Sequence, residues 1–216
     1  MGHYRANSGN TMNKKSHWET VYTTKNSSDV SWFQLHAVTS LEFINRLNCE
    51  KSAAIIDVGG GASTLVDDLL LNGHTNLTVL DLSGAALATA KKRIGESSAI
   101  VKWIEADITD VTLPKQQFDV WHDRAVFHFL TTPEERSAYI KNVLHALKPH
   151  GHIIIATFAE DGPEKCSGLP IVRYSAESLH AEFGEHFVLK EQLHETHKTP
   201  FGTTQQFVFC HFVKKG

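Results

Sequence analysis

The run Asp57-Val58-Gly59-Gly60-Gly61-Ala62-Ser63 sits where an apolar stretch, AAIIDV (53–58), meets a segment of helical periodicity. Glycines at 59 and 61 permit a tight turn and let a ligand approach the backbone closely. The helix that follows offers unpaired N–H groups and positive potential at its start. Alone, such a turn also serves plain chain reversal, so its neighbours decide. Asp81 closes the second apolar run, about 20 residues after the glycines, where an acid of a doubly wound sheet accepts hydrogen bonds from ribose hydroxyls. Asp107, followed by Ile108, closes the third. Its carboxylate suits an exocyclic amine, and the apolar neighbour can cover an aromatic ring. Taken singly, each acid also reads as a loop or helix-approach residue. All three features fall at carboxyl ends of adjacent strands, where open α/β sheets bind ligands.

A fourth constellation, FDVWHDRAVFHFL (118–130), begins at the next strand and sets Asp123, Arg124 and His128 among aromatic residues. An arginine there can hold a carboxylate or lower the pKa of a thiol. A histidine can accept a proton near neutral pH. The plainer reading is a surface Asp–Arg pair and a packed histidine. A long loop, 159–174, follows the fifth strand and should overhang the same edge, which makes Cys166, Arg173 and Tyr174 candidates for an acceptor site. Towards the N-terminus, Trp18-x-x-x-Tyr22 and Ser31-Trp32-Phe33 read either as a cover over the site or as aromatics packed on the sheet.

The Asp-x-Gly-x-Gly pattern at 57–61, the acids at 81 and 107, and a closing strand pair (186–196 and 205–215) resemble class I, seven-stranded, S-adenosylmethionine-dependent methyltransferases. The resemblance covers about residues 50–215, with Ser63 where a third glycine is often seen. It implies S-adenosylmethionine as cofactor and S-adenosylhomocysteine as product. It also implies cofactor contacts at Gly59 and Gly61, a ribose acid at Asp81 and an adenine pocket at Asp107 and Ile108. Asp57, Gly60, Leu82, His122 and Trp32 complete the implied cofactor set. Methyl transfer is an in-line displacement from a sulfonium, which needs alignment, exclusion of water and an unprotonated nucleophile. Asp123, Arg124 and His128 are the implied catalytic residues. Asp123-Arg124 is similar to the Asp-Arg-Gly of thiopurine-type thiol methyltransferases. It also falls where lysine methyltransferases of the elongation-factor type carry Asp-Lys-Gly; Ala125 replaces the glycine of both. In both subgroups an aromatic N-terminal segment lies over the cofactor, which implies a helical lid over residues 14–48, its aromatic faces suited to a sulfonium.

These residues need a scaffold, and the chain supplies one. Apolar runs at 53–58, 76–82, 99–107, 118–123 and 152–158 alternate with helical segments at 63–71, 84–94 and from Thr132 to about Leu147. Ser83, and Thr132 followed by Pro133, mark helix starts. Ser31 is expected to cap a further helix carrying Phe33, Ala37, Leu41, Ile44 and Leu47. The pattern predicts a doubly wound, Rossmann-like α/β sheet of seven strands, ending in an antiparallel pair. A dinucleotide dehydrogenase would share the glycine turn and Asp81 but not Asp57 or the closing hairpin. A non-catalytic nucleotide-binding or scaffolding domain is the other alternative.

The 216 residues suit one domain at 49–216 behind the lid, with residues 1–13 expected to be a disordered leader or an expression remnant. Twenty-one Lys and Arg against 24 Asp and Glu give a net charge of −3, which argues against nucleic acid as a partner. No apolar run approaches the roughly 18–20 residues of a membrane helix. Three scattered cysteines suggest a reducing, cytoplasmic setting. Of the 14 histidines none shows the local spacing of a zinc site, so no metal is expected. A small-molecule acceptor, such as a thiol, is expected ahead of a protein lysine. The sequence leaves the acceptor atom and the oligomeric state open.

Overall fold

The computed structural model describes the backbone of residues 8–216 and the side chains of residues 14–216 other than Ser27. Residues 1–7 of the expected leader lie outside the described residues, whereas residues 8–13 already belong to a helix. That helix, α1 (Ser8–Thr24), precedes α2 (Val38–Arg46). Strands and helices then alternate: β1 (Ile55–Val58), α3 (Leu65–Leu71), β2 (Leu77–Asp81), α4 (Gly84–Ile94), β3 (Lys102–Glu105) and β4 (Phe118–Arg124). After α5 (Pro133–Ala146) and β5 (Leu147–Phe158) come a short ribbon, β6 (Lys165–Cys166) with β7 (Leu169–Pro170), then α6 (Ala176–Phe183), β8 (Phe187–Lys198) and β9 (Thr204–Lys214).

The main sheet has seven strands in the order β3-β2-β1-β4-β5-β9-β8. β1 to β5 run parallel, and β9 and β8 are antiparallel, as the sequence leads one to expect. β1 and β2 are buried along their whole lengths, because helices cover both faces of a parallel sheet. One core layer packs Trp121, Tyr139, Val143 and Phe183 beneath α5 and α6. The other packs Leu65, Leu69, Leu87 and Phe43 beneath α2, α3 and α4. Strand order reverses between β1 and β4, and Asp57 lies directly opposite His122 in that pair. A crevice opens at such a switch point.

Helix starts follow their chemistry. Ser83 Oγ accepts from Ala86 N at 3.1 Å, and Thr132 and Glu135 form a capping box around Pro133. The helix expected from Ser31 begins only at Val38. The carbonyls it would need are taken: Ser31 O by His197 Nε2 at 2.8 Å and Trp32 O by Arg124 Nη1 at 3.0 Å. Ser31 Oγ accepts from Gln205 Nε2 at 3.2 Å, so tertiary bonds override the local signal. β3 is shorter than expected because Gly95–Ile100 forms a 3-10 turn. The loop after β5 contains the β6–β7 ribbon.

Candidate active site

β1 ends at Val58, and Gly59 follows with φ of 72°. A Cβ on Gly59 would collide with Val126 Cγ2 in the turn after β4, so the two turns meet only because residue 59 has no side chain. Gly61 N donates to Asp81 Oδ2 at 2.9 Å, and a Cβ there would lie 2.6 Å from that same oxygen. Ser83 N donates to Asp81 Oδ1 at 2.8 Å. Burial pushes the Asp81 carboxyl up to about 6, against the pull of these two bonds. Asp57 Oδ1 bonds His122 Nδ1 at 2.7 Å, and His122 Nε2 bonds Ser40 Oγ at 2.8 Å. Asp57 Oδ2 is buried with no hydrogen-bond partner. Asp107 Oδ1 accepts from Thr109 N and Oγ1, at 2.8 and 2.7 Å, which fixes its loop beside the buried Ile108.

These residues line a cleft with two lobes. The larger, about 880 Å³, is bordered by Asp81, Leu82, Asp107 and Ile108. The smaller, about 560 Å³, is bordered by Asp57, Gly60, His122 and Ser40. Gly59, Tyr22, Trp32 and Arg124 stand in both. Gly61 lies behind the wall, its N–H turned to Asp81.

The outer wall comes from α1, most of which lies within the segment expected as a helical lid. The i, i+4 spacing of Trp18 and Tyr22 was the available signal. Trp18 packs edge-on against Trp32 and Phe129, with ring centroids 5.6 and 5.2 Å apart. Trp32 Nε1 donates to Tyr22 OH at 3.3 Å. Glu19 Oε1 accepts from Gly84 N at 2.6 Å, adding a second cap to α4 from a distant part of the chain. Lys14 pairs with Glu135 at 2.5 Å, and Lys15 with Glu105 at 2.6 Å. Glu19→Ala is expected to loosen α1 by about 1 kcal/mol. Faster amide exchange in α1, with α5 unchanged, is the readout; identical exchange in both proteins would show that Glu19 does not anchor the helix.

The implied catalytic and acceptor residues divide. Arg124 stands in both lobes and Cys166 in the larger one. The Cys166 thiol is pushed up to about 12 by burial, so it is no thiolate. Asp123 does not reach the cleft: it accepts from Val126 N at 2.8 Å, Phe127 N at 3.1 Å and Tyr139 OH at 2.6 Å. It thereby braces the turn in which Ala125 takes φ of 73°, the position of the glycine in the resembling families. His128 is fully buried, and Phe158 N donates to its Nδ1 at 3.3 Å, which leaves the ring proton on Nε2. Burial, and secondarily Arg124, lowers it to about 3, so it is neutral, with its Nδ1 accepting and only Nε2–H left to donate. Arg173 bonds Gly162 O at 3.2 Å outside the cleft, and Tyr174 packs on Phe127 at 5.7 Å.

Among the described residues, no group of three or more His, Cys, Asp or Glu side chains could hold a metal ion. No helix among them is long and apolar enough to cross a membrane. Residues 55–151 match the model of a family described as a methyltransferase domain. Fold, cleft and that match together support a class I S-adenosylmethionine-dependent methyltransferase. The chain is 29% identical over 161 residues to EEF1A lysine methyltransferase 2 of Danio rerio, covering 66% of this chain and 67% of that protein. It is 26% identical over 125 residues to phosphoethanolamine N-methyltransferase 1 of Zea mays, over 57% of this chain and 24% of that protein. Its fold is similar to that of the 1,6-didemethyltoxoflavin-N1-methyltransferase of Burkholderia thailandensis, with TM-score 0.71 and 18% identity over 100% and 93% of the two chains.

Proposed function

We propose that the chain methylates a small-molecule acceptor held beside Arg124, where the two lobes meet, behind a lid formed by residues 14–48 on a catalytic domain at 49–216. The residues fit the cofactor. Asp57 Oδ2, buried and unpartnered, suits its ammonium group. Asp81 suits the ribose hydroxyls, and Asp107 with Ile108 the adenine. When bound, S-adenosylmethionine supplies a methyl group on a sulfonium, already activated for displacement. The protein's part is to position and to exclude water. Asp123 and Tyr139 hold the turn after β4, the glycine turn sets the cofactor against it, and Trp18, Trp32 and Phe129 shield it from solvent.

One observation carries the acceptor reading: α1 and its aromatics wall the cleft on its outer side, which suits a compact acceptor. The similarity to EEF1A lysine methyltransferase 2 favours a protein lysine as the second reading. Labelled methyl donor, added with the protein to a cell extract, separates the two. Label in the small soluble fraction is the expected result, and label confined to one protein band would transfer the case to the second reading. The three cysteines are free thiols, in keeping with a reducing cytoplasmic setting.

A further inference from the structure

We infer that Arg93 is a positioning residue for the methyl donor, because from the last turn of α4 it ties down the exit of the glycine turn; this rests on the cofactor site proposed above. Gly59, Gly60 and Gly61 stand in succession. Glycine loses more backbone freedom on ordering than any other residue, so such a stretch keeps one shape only if it is anchored along its length. Its entrance is held by β2, where Gly59 N donates to Leu80 O at 2.7 Å. Its middle is held by Asp81 at Gly61 N. Its exit, Ala62-Ser63, leads into α3, and the anchor there comes from 30 residues further along the chain. Arg93 Nη1 donates to Ala62 O at 3.1 Å, and Nη2 donates to Ser63 O at 2.5 Å. Nε and Nη2 also donate to the two oxygens of Asp67, in the first turn of α3, at 2.8 and 2.7 Å. One planar guanidinium therefore spans two consecutive carbonyls and a carboxylate of the same segment.

An isolated ion pair on a surface contributes little. This one differs in geometry. Its two-pronged contact with Asp67 fixes the plane of the guanidinium, and that plane aims the remaining N–H groups at the carbonyls. The cleft depends on the segment so held: Gly59, Gly60, Ala62, Ser63 and Thr64 all border the smaller lobe, so a shift of the turn is a shift of the wall. On its inner side the turn is already packed. A Cβ on Gly60 would stand 2.1 Å from Asp57 Oδ2, and one on Gly61 2.6 Å from Ala86 Cβ. Arg93 itself borders neither lobe, so it acts through the backbone of the turn. Without it, the ligand has to order the turn on binding, and that cost lowers its affinity. The donor feels the loss before the reaction does. No atom of Arg93 meets the reacting groups, so once the donor saturates the protein, transfer runs as in the parent.

The test titrates S-adenosylhomocysteine by calorimetry into the full chain as the parent protein, as Arg93→Met and as Arg93→Lys, at a temperature where circular dichroism shows them folded. Arg93→Met is expected to weaken binding at least tenfold. Arg93→Lys, whose single ammonium cannot span the same acceptors, should fall between the two, at least threefold below the parent. If Arg93→Met does not fold, Arg93→Lys decides alone. A folded variant that binds within twofold of the parent overturns the proposal. In a second arm, Arg93→Lys and the parent transfer label from the methyl donor into a cell extract, over a blank without the protein. The rate for Arg93→Lys should drop at limiting donor and return to within about threefold of the parent at saturating donor. An arginine that serves the fold alone would lower the melting temperature and leave this donor dependence as in the parent, which overturns the proposal. So does a rate that stays more than threefold down at saturating donor. If S-adenosylhomocysteine does not bind even the parent, the cofactor site falls, and the role of Arg93 falls with it.

Discussion

Asp81→Ala is expected to lower the affinity for S-adenosylhomocysteine by about two orders of magnitude. The carboxylate does two jobs in the proposed site. It receives the ribose hydroxyls, and it holds Gly61 N and Ser83 N at 2.9 and 2.8 Å. Charge-assisted bonds to a ligand contribute about 1.5–3 kcal/mol. Freeing the two backbone donors also loosens the glycine turn, so a total of about 3 kcal/mol, or roughly 100-fold, is expected. The same residue sets a pH dependence. Its folded carboxyl sits at about 6, and only the ionised form is a full acceptor for two hydroxyls. Affinity is therefore level above about pH 7 and falls as pH drops through 6, by up to about tenfold per unit. Calorimetric titration from pH 5 to 8 checks this (about three units suffice). A mutant that binds as well as the parent protein, or a parent profile flat through pH 6, would remove Asp81 from the cofactor site.

Asp123→Ala is expected to cost about 3–5 kcal/mol of stability and to lower the melting temperature by roughly 10 °C. Three buried donors lose their acceptor: Val126 N, Phe127 N and Tyr139 OH. Tyr139 OH also accepts from Trp121 Nε1 at 2.8 Å, so the loss spreads into the core beneath α5. Asp123→Asn keeps one carbonyl oxygen and should lose about half as much. Thermal denaturation followed by circular dichroism gives the measurement. An alanine variant that melts with the parent yet transfers no methyl group would return Asp123 to the chemistry.

The distinction between those two acids was only half legible in the sequence. Asp57 and Asp81 fall at the ends of β1 and β2, and Asp107 lies just beyond β3, and strand ends can be read from apolar runs. That periodic signal is what made the parallel strands readable, and with them the edge at which the cofactor is proposed to sit. Asp123 also ends a strand, yet its oxygens turn back to the N–H groups of its own turn and to Tyr139, sixteen residues on. No spacing rule announces such a contact. His128 looked like a base because its residue type titrates near neutrality, while its burial is a tertiary fact. The helix expected from Ser31 failed for a related reason: His197 and Arg124 claim its carbonyls from elsewhere in the chain. The start of α1 at Ser8, ahead of the expected lid, was not legible because few apolar side chains mark it, and three charged contacts to separate elements hold the helix in place.

Those contacts bear on how the enzyme turns over. Trp18 and Tyr22 line the cleft in which the nucleoside is proposed to sit, so on that reading exit on that side requires the first helix to detach. Its ties at Lys14, Lys15 and Glu19 are ionic and weaken with added salt, whereas the Trp18–Phe129 contact does not. On that reading the product off-rate depends on how firmly the first helix is held, and rises with ionic strength.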